Sequence, residues 1–210
     1  MIILPVIHFS TTEMALINAE IAFSNGCHGV FIINMGFEET DAIIPYVCEL
    51  LKQEFPDKKI GVNFLYGEFI PNLINKTDNV DMIWTDDTIP ERYDSVVDKE
   101  LSKRSIEIYE SFAFKYKRED LDFVNTGKTI LSKGRVPTTS GPATGQPPSV
   151  DKVLQLSELS TLALASGLDP DNVHLFKNHI THALVATGIS ETFYKFDPVK
   201  VKDFVQAVNG

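Results

Sequence analysis

Short apolar runs alternate with longer amphipathic ones along this chain of 210 residues, and that alternation limits what it can fold into. Ile2 to Phe9, Gly29 to Met35, Lys59 to Leu65 and Val80 to Thr85 read as buried strands. So do Ile106 to Lys115, Arg135 to Thr139, Thr161 to Ala165 and His182 to Thr187. Continuous runs such as GVFIINM suit parallel strands covered on both faces. Between them, residues 11–25, 38–55, 68–74, 90–104, 121–132, 149–159, 169–178 and 197–208 read as helices. Ser10, Thr11 or Thr12 can cap the first helix, and Asn25-Gly26 stops it. Asp169-Pro170 and Asp197-Pro198 each place proline in a permitted first turn.

Eight strand–helix units of about 26 residues each predict an α/β fold, a compact (β/α)8 TIM barrel spanning residues 1–210 as one domain. The structural alternative is a doubly wound open sheet. Such a sheet normally carries a glycine-rich phosphate turn after its first strand, and HFSTTE contains no glycine. Residues 138–149 are rich in Gly, Pro, Ser and Thr. They read as a loop and not as a linker, because strand–helix alternation continues across them.

Composition narrows the function classes. Nineteen Lys and Arg against 29 Asp and Glu leave a net charge of -10, so a nucleic-acid partner is not expected. Two cysteines, Cys27 and Cys48, cannot form a disulfide framework for this length, which points to a reducing cytoplasm. Both read as buried apolar fillers. No run approaches a membrane span, and the N-terminal residues lack the basic start of a signal peptide. A homo-oligomer is compatible with all of this.

In a barrel the active site lies where strands end and βα-loops begin. The strand ends carry His8 and Ser10, then Asn34, Asn63, Asp86 with Asp87, and Lys115. Ser140, Gly141, Thr144 and Gly145 follow the sixth strand, Ser166 and Gly167 the seventh, and Thr187, Gly188 and Ser190 the eighth. Asn34, Asn63 and Lys115 are notable because they interrupt apolar runs. In TTSGPATGQPP two glycines allow close backbone approach to a ligand, and Ser140 and Thr144 offer hydroxyls. Loops after strands seven and eight often hold phosphate, and Ser166-Gly167 and Thr187-Gly188 suit that role.

Lys115, Asp86, Asp87 and His8 are the catalytic candidates. Lys115 could pair with a phosphate or carboxylate, form a Schiff base, or make a salt bridge to Asp86 or Asp87. Neighbours on a strand point opposite ways, so at most one of the two aspartates enters the site directly. His8 is a proton shuttle or a buried, hydrogen-bonded histidine. His179 and His182 fall at the opposite, stability face. Trp84 reads as core. No spaced His/Asp cluster calls for a metal, and no cofactor is expected.

The strings PVIHF, GVFIINMG, IGVNFL, FAFKY, TSGPATGQPP and FDPVKVKDFVQAV occur in an order that resembles the BtpA family of (β/α)8 barrels, over nearly the whole chain. That family resembles ribulose-phosphate-binding barrels, whose phosphate loops correspond here to Ser166-Gly167 and Thr187-Gly188. It was named for a role in photosystem I biogenesis. The chain departs from it in three places. The loop after strand one is short, Asn34 replaces an acidic residue, and Lys115-Tyr116 replaces a Lys-His pair. The tail also resembles phosphoribosylanthranilate isomerase, but that enzyme needs a cysteine where this chain has His8, so that activity is not expected.

These readings imply an enzyme acting on a phosphorylated small molecule, a sugar phosphate or nucleotide-like compound. Isomerisation, aldol-type cleavage and glycosidic-bond chemistry stay open. The alternatives are a non-catalytic assembly or regulatory barrel and a small-ligand-binding barrel.

Overall fold

The computed structural model describes residues 1–35, 42–65 and 68–210. Eight parallel strands close into a barrel in chain order: β1 (Ile2–His8), β2 (Gly29–Ile33), β3 (Lys59–Asn63), β4 (Met82–Thr85), β5 (Glu107–Ser111), β6 (Val136–Ser140), β7 (Ala163–Ala165) and β8 (His182–Val185). β8 returns to β1 with Ile2 beside His182 and Pro5 beside Val185, and this pairing closes the ring. The open-sheet alternative is thereby excluded.

Alternation along each strand sorts two apolar cores. Leu4, Val6, Phe31, Met82, Trp84 and Leu184 cluster inside the ring. Ile3, Ile7, Val30, Ile32, Ile60 and Ile83 belong to the larger core beneath the helices. The interior is tightly filled: a Cβ on Gly61 would collide with the Phe31 ring, so glycine there makes room for the aromatic. Trp84 is core, as its setting in the fourth strand predicts, with its indole N–H donating to Ser111 Oγ at 2.9 Å. Cys27 and Cys48 are buried and unbridged.

The helices that cover the ring are α1 (Thr12–Ser24), α2 (Ile44–Glu54), α3 (Phe69–Asn75), α4 (Asp94–Lys103), α5 (Phe123–Ser132), α6 (Val150–Gln155) and α7 (Pro198–Asn209). Thr11 caps α1 by accepting from the Met14 N–H at 3.1 Å, and Asp197 caps α7 by accepting from Val199 and Lys200. The second helix begins at Ile44, and residues 38–41 of its expected span lie outside the described residues.

Two expectations need correction. Residues 169–178 do not form an α-helix. A single 3-10 turn, Val173–Leu175, stands there. Asp169 Oδ1 accepts from the Asp171 and Asn172 N–H groups, and the Asn172 amide donates to the Gly167 carbonyl, so local side-chain bonds hold the segment in turns. The fifth strand ends at Ser111, four residues short of Lys115, and the chain then turns through Ala113 and Tyr116, both at positive φ. A feature the sequence reading lacked is an antiparallel hairpin after β8, β9 (Ser190–Thr192) with β10 (Lys195–Phe196). Among the described residues, no helix is long and apolar enough to cross a membrane.

Candidate active site

The C-terminal mouth holds a small cavity of about 40 Å³, walled by His8, Lys115, Trp84, Thr144, Gly145, Ser166 and Thr187 with apolar neighbours beneath. Residues from the first, fifth, sixth, seventh and eighth strand ends therefore converge, as closure of the ring requires.

His8 ends β1 and is 9% exposed. Its ring stacks on Phe193 at 4.1 Å, and its Nδ1 lies 2.8 Å from the Phe193 carbonyl. A carbonyl only accepts, so Nδ1 carries the proton and Nε2 keeps its lone pair. Burial pushes the pKa down from the ordinary histidine value, with Lys115 adding to the fall and the carbonyl bond opposing it. The hairpin that supplies this carbonyl is itself anchored. Asn18 in α1 donates to the Tyr194 carbonyl at 2.8 Å and accepts from the Phe196 N–H at 2.9 Å.

Lys115 Nζ donates to Ser166 Oγ at 3.0 Å and lies 5.4 Å from the centre of the Phe114 ring. It forms no salt bridge with Asp86 or Asp87. Burial lowers its pKa, and the neighbouring Asp86 pulls the other way. Asp86 is half-buried just past the end of β4 and receives the Asn63 amide N–H at 2.8 Å. Burial raises its pKa, against the lowering by Asn63 and by two lysines. Asp87 points away, with its carboxylate 2.6 Å from Lys117 Nζ on the surface. Both aspartates follow the end of β4 and neither walls the mouth cavity; both line a cavity beside it.

Ser166 and Gly167 both sit at positive φ, +80° and +76°. A non-glycine residue held there is strained, and surrounding structure must enforce it. The enforcement is visible. A Cβ on Gly167 would collide with the Gln146–Pro147 backbone, and so would one on Gly141. Gly141 thus permits close approach within the sixth loop and Gly167 between the sixth and seventh, so Gly141 faces backbone where a ligand was expected, while Gly145 remains at the cavity wall. Gly188 likewise packs against Leu168 and Asp169. Gly145 and Thr187 face each other across the cavity, where a Cβ on Gly145 would lie 3.6 Å from Thr187 Oγ1.

Two hydroxyls proposed as ligand donors are spent within the fold. Ser140 is enclosed. Its Oγ donates to the Gly141 carbonyl at 2.9 Å and accepts from the Lys115 N–H at 2.8 Å, so it aims the loop carrying Lys115. Ser190 Oγ donates to the Ala186 carbonyl at 2.8 Å. Ser10, also named from its strand end, is exposed outside the cavity wall. Thr144 stays at the cavity, with its N–H donating to Tyr116 Oη at 3.0 Å. Asn34 and Asn63 are both buried beside one another, the Asn34 N–H donating to the Asn63 carbonyl at 3.3 Å.

Lys152 was missed by sequence reasoning. Its Nζ, in the first turn of α6, donates to the Ala113 and Ser140 carbonyls at 2.6 and 2.8 Å and ties the fifth and sixth loops together. Burial lowers its pKa to about 8. An isolated lysine on an amphipathic run carries no signal of such a role. Among the described residues, no group of three or more His, Cys, Asp or Glu is placed to hold a metal ion.

The fold is similar to several solved structures. One is phosphoribosyl anthranilate isomerase from Thermus thermophilus, at 12% identity and TM-score 0.72, covering 100% of this chain and 98% of that one. Another is phosphoribosyl anthranilate isomerase in complex with reduced 1-(o-carboxyphenylamino)-1-deoxyribulose 5-phosphate, at 14% identity and TM-score 0.71, covering both chains fully. A third is a native KDPGal structure, at 12% identity and TM-score 0.73, covering 99% of this chain and 94% of that one. At such identities the likeness establishes the TIM barrel. No family model matches the chain, and no curated protein matches it.

Proposed function

We propose that this barrel is an enzyme acting on a phosphorylated small molecule, with the phosphate near the loops after β7 and β8. The observation that carries the reading is the convergence of the His8 imidazole, the Lys115 ammonium and the Ser166 and Thr187 hydroxyls on one cavity. A similar barrel binds a ribulose 5-phosphate derivative, which supports the substrate class. The missing cysteine at strand one, where His8 stands, argues against phosphoribosylanthranilate isomerase activity itself.

In this reading Lys115, Ser166 and Thr187 meet the phosphate or a neighbouring oxyanion, and backbone N–H groups of the left-handed Ser166–Gly167 turn add donors. His8 takes a substrate proton on Nε2, because Nδ1–H is committed to the Phe193 carbonyl. Asp86 stands outside the wall of the mouth cavity and lines the space between the third and fourth βα-loops, where burial raises its pKa. Proton abstraction by a base such as His8 suits isomerisation or aldol-type cleavage, and glycosidic-bond chemistry also draws on one. Kinship with the BtpA family and a cytoplasmic setting belong to the same proposal, supported by the motif strings and the unbridged cysteines.

The test is a thermal-shift screen of phosphorylated metabolites, with hits followed by turnover assays on the wild type and on Lys115→Ala. Hits confined to phosphate esters, turned over by the wild type and not by the variant, are expected. A screen without phosphate-dependent hits rejects the reading.

A further inference from the structure

The mouth cavity is too small for a whole substrate: about 40 Å³ accommodates only a few water-sized groups. A second cavity of about 440 Å³ lies between the third and fourth βα-loops, within the size range of small-ligand pockets. Trp84 belongs to the wall of both. The larger one is walled by Phe64, Phe69 and Tyr93, whose rings suit a planar ligand, and by Ile89.

Two acceptors line the same cavity. Asn63 is 2% exposed, and its Oδ1 is enclosed with no hydrogen-bond partner among the described residues. A buried carbonyl oxygen without a donor is costly, and native structures rarely leave one so. Its amide nitrogen donates to Asp86 Oδ1. Among the described residues, Asp86 Oδ2 receives no hydrogen bond, and no lysine or arginine lies within salt-bridge distance. The Asn63–Asp86 bond therefore joins two residues of the cavity wall, each of which keeps one acceptor oxygen without a donor.

We infer that the cavity between the third and fourth βα-loops is a second subsite, and that it takes a planar nitrogen heterocycle presenting two adjacent N–H donors, an amino group beside a ring N–H, to Asn63 and Asp86. The substrate is then a phosphate ester with such a base at its far end, a claim that rests on the mouth being the phosphate site. A cationic ring is disfavoured because Arg92 and Lys117 also line the cavity. A neutral base with a 2-amino-4-oxopyrimidine edge satisfies both oxygens.

The lone tryptophan of the chain is a built-in reporter for this pocket. Titrations follow Trp84 emission, checked by calorimetry, with guanosine, inosine and adenosine, none of which carries a phosphate. Guanosine presents both donors, inosine lacks the amino group, and adenosine offers an acceptor in place of the ring N–H. Saturable guanosine binding is expected, with inosine weaker by about tenfold and adenosine weaker still, because a site built for donors rejects analogues lacking them. Asn63→Ala should lower guanosine affinity by about tenfold. No guanosine binding by either method, or equal binding of all three nucleosides, overturns the inference, and this comparison needs no variant to fold. Ribose 5-phosphate is titrated in parallel by thermal shift. If it binds and guanosine does not, the subsite alone falls. If guanosine binds and ribose 5-phosphate does not, the phosphate reading falls and the subsite stands.

Discussion

At the N-terminal end of the barrel a lysine, a carboxylate and a histidine are drawn together. At the C-terminal mouth the same three kinds of group are held apart. Lys59 Nζ forms an ion pair with Glu107, whose other oxygen accepts from Tyr109 Oη at 3.4 Å. His182 bonds the Thr181 hydroxyl at 2.7 Å, and its ring meets the Tyr109 edge at 5.7 Å. At the mouth Lys115 has a serine hydroxyl, Asp86 an amide and His8 a carbonyl, so none of the three neutralises another. Charges that satisfy each other close a structure. Charges kept separate by neutral partners remain available to a ligand, and burial shifts their pKa values.

The strongest way to break this contrast is to remove the lysine at each end. Lys115→Ala should lower turnover of a screened phosphate ester by about 10²–10³-fold with an unchanged melting curve, the range that losing an oxyanion-stabilising donor costs. Lys59→Ala should leave turnover within about twofold. Equal losses in steady-state assays would dissolve the distinction.

The next effect concerns the frame of the mouth. Gly167→Ala puts a Cβ into the Gln146–Pro147 backbone at a positive φ, so chemical denaturation should show a loss of about 2–4 kcal/mol. A loss under about 0.5 kcal/mol would show that the loops yield freely.

Titration sharpens the comparison further. Burial lowers His182 to about 4, so the native state resists a proton that the unfolded state accepts from about pH 6.5 downward. Its contribution to stability is complete above pH 6.5 and declines as pH falls through the window to about 4. His182→Phe should flatten acid unfolding over that window. His8 is also lowered, and its titration should instead mark kcat/KM, with the rising limb centred below pH 6.5. A limb above pH 6.5 would reject His8 as the base.

The smallest effect belongs to Glu107→Gln. The ion pair with Lys59 is more than a third exposed on both sides, so its loss should cost about 0.5 kcal/mol and leave turnover alone.

The barrel was legible because strands such as β1 and β2 are continuous apolar runs and because Thr11, Ser149 and Asp197 cap the helices that follow them. His8, Lys115, Asp86, Ser166 and Thr187 were legible as strand-end or post-strand polar groups, and the ring brings them to one rim. What local pattern could not convey was the partner of each group. Gly141 and Gly167 look alike as ligand-facing glycines and as loop-packing glycines, and only the position of Gln146–Pro147 decides. Ser140 and Ser190 are spent on carbonyls that folding brings near them. The hairpin over His8 was hidden because SETFYKF is too short to show a strand period. The failed helix at 169–178 had a sound start signal, but Asn172 turned its side chain back on the chain.

The interlock of Gly141 and Gly167 around Gln146–Pro147 also bears on how such a barrel diversifies. (β/α)8 proteins are often treated as scaffolds whose surface segments can be exchanged one at a time. Here two successive segments share a seam with no room for a single methyl group, so a transplant of either without its neighbour would meet a mismatched edge. Variation in this protein's descendants should therefore arrive in that quarter of the rim as paired changes.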